Sequence, residues 1–263
     1  MLLYLYDLPN WVMGAVVSGL IVALSLVAYF LFRRLYRAEF DDHERGLAMS
    51  VLGVVATINS LLLAFSAVSV WESFGSAEES VVHEADTVGM LARDLAVFGS
   101  NESRQSRVLL REYVQVVLGE EWTAMRTGEA SNAAWVKNDE FFRSIGSLEP
   151  DTPRRAALLP EIWARANELV GHRRDRLNIS QAEVPGTLWV VVLAGTALTM
   201  MTTFVLPPTR FNVGMIAALA FTLGLVFFFI VAMDLPFMGA ESIGPGPFES
   251  ALVNMTRWDT EFR

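Results

Sequence analysis

Residues 57–87 read TINSLLLAFSAVSVWESFGSAEESVVHEADT. The stretch begins as apolar as a membrane span and ends charged, with no Pro and a single Gly, Gly75, to interrupt it. A helix entering at Thr57 therefore meets no stop signal at the membrane boundary. Asn59 lies at membrane depth, where a polar side chain must face protein or water because hydrocarbon offers it no hydrogen bond. Alternating steps of three and four place Asn59, Leu62, Ser66, Ser69, Ser73, Ser76, Ser80, His83 and Thr87 along one helical face. All but Leu62 are small or polar. A second row, Glu72, Glu79 and Asp86, recurs every seven residues, and Phe65 lies beside the stripe.

The rest of the chain sets this helix in a membrane. Of 263 residues, 53% are apolar, and the mean hydropathy is +0.38. This excess is concentrated in segments long enough to cross about 30 Å of hydrocarbon at about 1.5 Å per residue. The spacing predicts spans over about 11–32, 46–70, 186–206 and 213–233, and none contains Lys, Arg, Asp or Glu. The first span is read as a retained anchor. No Lys or Arg precedes it, and Arg33-Arg34 stand where a cleavage site would lie.

The expected fold class is an all-α integral membrane protein, with two pairs of transmembrane helices flanking a helical soluble domain. Residues 1–70 hold the first pair and 71–184 the extramembrane domain, continuous with the second span. Residues 185–235 hold the second pair, and 236–263 form a tail broken by Pro and Gly. The domain carries 13 Lys and Arg against 19 Asp and Glu. Asn101 or Ser103 is expected to cap one of its helices, Ser131 a second, and Thr152-Pro153 a third. That third helix shows Leu158, Ile162, Leu169 and Leu177 on one face. Charge divides on topology, with the positive C-terminal flank of the first span favouring an N-terminus and a domain outside. Loop 33–45 holds Arg33, Arg34, Arg37 and Arg45, while Arg165, Arg173, Arg174 and Arg176 precede the third span on the opposite side.

Catalytic, cofactor and metal chemistry are not expected. There is no Cys, which removes disulfides and thiolate sites, and the net charge of −9 without a basic face argues against nucleic acid. His43, His83 and His172 are scattered and read as surface or seam residues. The carboxylates of Glu120-Glu121 and Asp139-Glu140 are sequence neighbours, which do not face one another on a helix, and read as solvated. Asp234 closes the fourth span at the membrane edge, as a terminus residue or an ion-path charge. No phosphate loop or nucleophile elbow is present.

Several motifs are similar to those of bacterial bestrophin-like membrane proteins. They are LLLAFSAVSVWESFGSAEESVVHEADTVGMLARDL over 61–95, EEW at Glu120–Trp122, PDTPRRAALLPEIW at Pro150–Trp163, RRDRL at Arg173–Leu177 and MDLPFMGAESIGPGPF at Met233–Phe248. The resemblance implies a distant relation to bestrophins, oligomeric ion channels whose second span lines the pore. It also implies a cytosolic helical domain. Trp71-Glu72 falls where bestrophins carry an aromatic-acidic pair, whereas the row Glu72, Glu79, Asp86 favours cations over anions if it faces a permeation path.

Two functions remain open on these residues. One is a homo-oligomeric channel in the inner membrane, passing small inorganic ions, with Asn59, Leu62, Phe65, Ser66, Ser69, Ser73 and Ser76 along the pore and Glu72, Glu79 and Asp86 as a charged vestibule. The other is a non-conducting scaffold or sensor whose helical domain binds a partner. In the second case the stripe is a helix–helix seam, since small residues let neighbouring helices approach closely in lipid.

Overall fold

A computed structural model describes residues 2–36, 40–182 and 184–261. Arg37, one of the four Arg of the first loop, lies outside them. Nine α-helices follow in order among the described residues: α1 (Asn10–Tyr36), α2 (Asp42–Phe98), α3 (Asn101–Val116), α4 (Trp122–Met125), α5 (Asn132–Ile145), α6 (Pro153–Ser180), α7 (Gly186–Thr202), α8 (Arg210–Asp234) and α9 (Gly246–Glu261). A π turn, Val117–Glu121, joins α3 to α4. Four of the helices, α1, α2, α7 with its 3-10 extension to Val205, and α8, are long and apolar enough to cross a membrane. Helix α2 runs unbroken for 57 residues. It holds four glycines, Gly46, Gly53, Gly75 and Gly89, but no Pro, so no backbone N–H is missing from its ladder.

The chain divides into two compact units. The first comprises Met1–Phe74 and Glu183–Ser242. Its core holds Tyr29, Leu63, Val70, Val192, Phe227 and Ile230. Helices α1 and α8 pack closely where Gly224 meets Ser18; a Cβ on Gly224 would lie 2.7 Å from the Ser18 Cα. Small residues permit this approach, which gives dispersion contacts that lipid tails cannot match. The Tyr29 hydroxyl donates to the Leu206 carbonyl at 2.8 Å, and the Tyr6 hydroxyl to the Val231 carbonyl at 2.7 Å, so neither phenol is left unsatisfied in the apolar unit.

The second unit comprises Gly75–Ala182 and Ile243–Arg263. Local chemistry sets its helix starts. Ser131 and Thr152 accept from the backbone N–H groups of Ala134 and Arg155, with Pro153 opening α6. The cap of α3 is Ser100, one residue before the expected Asn101, in a reciprocal capping box with Ser103. The larger departure is the tail. Residues 235–245 are broken by turns, with Gly239 at a φ of +83°, but the remainder forms α9, with Phe248, Ala251 and Met255 buried. Its last proline, Pro247, falls in the first turn, where a missing N–H costs nothing, and no Pro or Gly follows. Asp259 on α9 then pairs with both Arg107 and Arg111 of α3.

Candidate functional site

The small-polar stripe of α2 separates into an inner and an outer set. Within the first unit, Asn59 and Ser66 are each only 2% exposed, alongside buried Leu63 and Val70. Asn59 lies against α7: its amide donates to the Thr196 hydroxyl at 3.4 Å, and its Oδ1 occupies the space a Cβ on Gly195 would need, 2.3 Å away. Gly195 thus supplies the recess that lets a polar residue be buried between two apolar helices. The Ser66 hydroxyl donates back to the Leu62 carbonyl at 2.8 Å, satisfying itself within the helix. Leu62 and Ser73 are half-buried. Phe65 is 64% exposed on the single chain, and Ser69 and Glu72 are exposed with it.

The same division continues in the second unit. Ser80 and Thr87 are buried, their hydroxyls returned to the Ala77 and His83 carbonyls at 2.8 Å each. Ser76, Glu79, His83 and Asp86 are exposed. Steps of four and three relate Phe65, Ser69, Glu72, Ser76, Glu79, His83 and Asp86, so two of the five serines of the stripe, Ser69 and Ser76, share the acidic row's phase rather than Asn59's. Strict alternation drifts slowly around a helix of 3.6 residues per turn, and hydroxyl-bearing residues carry no hydrophobic signal to mark which side is inward. Asp234 is half-buried and accepts the Val184 backbone N–H at 2.9 Å, tying the entry of α7 to the end of α8.

A second polar constellation occupies the core of the second unit. Glu84 on α2, Glu121 at the end of the π turn, and Arg173 and Arg176 on α6 all have 0% exposed side chains. Arg173 donates to Glu121 from Nε at 3.1 Å and from Nη2 at 2.5 Å. Arg176 bridges the two carboxylates, reaching Glu84 from Nε at 2.7 Å and Glu121 from Nη2 at 2.7 Å. The Tyr113 hydroxyl donates to Glu84 at 2.6 Å. The guanidinium of Arg173 stacks over the Trp135 ring at 4.0 Å, while that of Arg176 lies 5.6 Å from both Trp122 and Phe248. Burial pushes the Glu121 carboxyl up, but Arg173 and Arg176 more than offset this and hold it below the ordinary carboxylate range. Burial likewise pulls the Arg176 guanidinium down, while Glu84 and Glu121 together raise it above its ordinary value. Tyr113 is pushed well up, first by burial and then by Glu84. Two carboxylates and two guanidiniums balance, as a group of charges removed from water requires.

The solvated reading of Glu121 is therefore corrected. Glu120 is exposed, as expected, while Glu121 is buried. The π turn shifts the helical phase by about one residue and directs the second carboxylate inward. A signal for the arginines exists in retrospect. Ile162, Ala166 and Leu169 bury one face of α6, and Arg173 and Arg176 continue the same steps of four and three. An Arg in a buried phase calls for a buried carboxylate, but which one it meets is a tertiary fact. His83 and His172, read as separate, also lie side by side, with ring centroids 5.6 Å apart.

Comparison with known proteins gives this arrangement a family. The profile of the Bestrophin-like domain matches residues 19–248. Two solved structures share the fold along almost the whole length. One is a variant of a bacterial bestrophin homologue from Klebsiella pneumoniae, at 10% identity and TM-score 0.65, covering 95% of this chain and 99% of that one. The other is described only as a membrane protein variant, at 12% identity and TM-score 0.66, with the same coverage. No curated protein matches. With a match that runs from the first membrane helix into the last helix of the second unit, this membrane protein belongs to the bestrophin-like family.

Proposed function

We propose that the chain forms a homo-oligomeric ion channel in the inner membrane, with α2 of each copy turned toward a shared axis and the second unit in the cytosol. The observation that carries this reading is the exposed face of α2, where Phe65 and Ser69 at membrane depth lead to Glu72 just beyond it. An apolar constriction followed by a polar and then an acidic ring is the chemistry of an ion path, and the carboxylates favour cations. Four spans in one chain leave little room for an internal pore, so the path requires several copies. Asn59 and Ser66, buried within the chain, belong to the seam that holds α2 in place. Bestrophin-like order of elements, rather than the divided charge count, supports the cytosolic side.

Cysteine scanning tests this cleanly, because the chain has no Cys of its own. Ser69→Cys and Glu72→Cys are expected to react with a charged, water-soluble thiol reagent and to change single-channel current in planar bilayers. Asn59→Cys and Ser66→Cys are expected to stay unmodified. Silent bilayers together with an unreactive Ser69→Cys would remove the channel reading and favour a scaffold.

A further inference from the structure

Two of the three histidines, distant in sequence, meet within the second unit. His83 on α2 and His172 on α6 have ring centroids 5.6 Å apart and planes tilted by 31°. A zinc–nitrogen bond of about 2.0–2.1 Å places the metal roughly 3.2 Å from an imidazole centre, so two rings on one tetrahedral ion have centroids about 5.2 Å apart. Opening the angle at the metal toward 120° brings this to about 5.5 Å. The observed separation lies next to that range without any ion. His83 is exposed and His172 half-buried, so a hydrated ion can reach both rings.

The surroundings favour a cation. Glu79 and Asp86 lie one turn on either side of His83, and Glu168 and Asp175 lie one turn on either side of His172. Of the nearby basic groups, Arg173 is already bound to Glu121 and Arg176 to Glu84 and Glu121, while Arg174 is exposed, so four carboxylates stand against one exposed guanidinium. Among the described residues no group of three or more ligating side chains is assembled. The ion would keep water in its remaining positions, as open zinc sites do.

We propose that His83 and His172 form a two-histidine site for a late first-row divalent metal, of the class Zn2+, Ni2+ or Cu2+, joining α2 to α6. Imidazole nitrogen suits these ions, whereas Ca2+ and Mg2+ require oxygen cages that are not assembled here. This site does not depend on whether the chain conducts.

The test is a ZnCl2 titration of the full, tag-free chain in detergent by calorimetry, with helix content followed by circular dichroism. Wild type is expected to bind about one ion per chain, below about 1 mM. His83→Ala and His172→Ala are each expected to weaken binding by about tenfold or more, and the double variant to bind no more weakly than either single one. His43→Ala serves as the control and is expected to bind as wild type. His83→Cys supplies a thiolate and is expected to restore what His83→Ala loses, which a merely structural role for the ring would not do. Undiminished binding in His83→Ala, equal loss in His43→Ala, or no saturable binding by wild type would each overturn the site. Because His83 is exposed, its replacements are expected to leave helix content unchanged.

Discussion

Replacing Glu121 by Ala tests whether the buried cluster is a balanced unit. The carboxylate accepts from Arg173 at 3.1 and 2.5 Å and from Arg176 at 2.7 Å, all with 0% exposed side chains. Its removal leaves Arg176 held by Glu84, but leaves Arg173 without a carboxylate, beside the Ser131 carbonyl at 3.4 Å and the Trp135 and Tyr113 rings. The core then carries one uncompensated positive charge. Breaking a buried pair in this way costs about 3–5 kcal/mol, much more than the ~1 kcal/mol of an exposed pair. For a chain of this length that corresponds to a fall in Tm of roughly 6–20 °C. Thermal unfolding in detergent, followed by tryptophan fluorescence, reads the change, with Trp122 and Trp135 among the seven tryptophans lying against the two guanidiniums. The double replacement Glu121→Met with Arg173→Met removes one charge of each sign and fills the space with apolar atoms, and it is expected to recover most of the loss. A loss in Glu121→Ala below about 0.5 kcal/mol would refute the reasoning. So would a double variant as unstable as the sum of its singles, because coupling is the content of the claim.

Gly224→Ala places a Cβ 2.7 Å from the Ser18 Cα and 3.2 Å from its carbonyl oxygen, so α1 and α8 must separate. A loss of about 1–3 kcal/mol in detergent thermal stability is expected, while Gly19→Ala, which meets nothing within 4 Å, is expected to leave stability unchanged. Acid is expected to destabilise the second unit through Glu121. Its folded pKa lies below the ordinary value of 4.5, so its contribution is fully present above about pH 4.5 and is lost as pH falls through the folded value. A pH series of melts should show this loss in wild type and a flatter acid limb in Glu121→Gln.

The four spans and the uninterrupted passage of α2 into the second unit were legible because both are local properties. Apolar length decides what can lie in hydrocarbon, and an absence of breakers decides where a helix continues. The starts of α5 and α6 were legible for the same reason, since a Ser or Thr cap acts within four residues. The helix in the second half of the tail was not legible because proline was counted as a breaker without regard to position, and Pro247 sits in a first turn, where it breaks nothing.

The inward side of α2 was not legible. Ser66 and Ser69 have the same side chain, yet one is buried and the other exposed, and Asn59 is buried where α7 supplies a recess at Gly195. Neither could sequence spacing pair Glu121 with Arg173 and Arg176, or His83 with His172, across helices distant in the chain. By itself the sequence determined an all-helical membrane protein, because solvent partitioning and backbone hydrogen bonding act on each segment alone. Only the tertiary structure decided which polar residues leave water, because burying a charge or an amide is tolerable only where another element brings its partner.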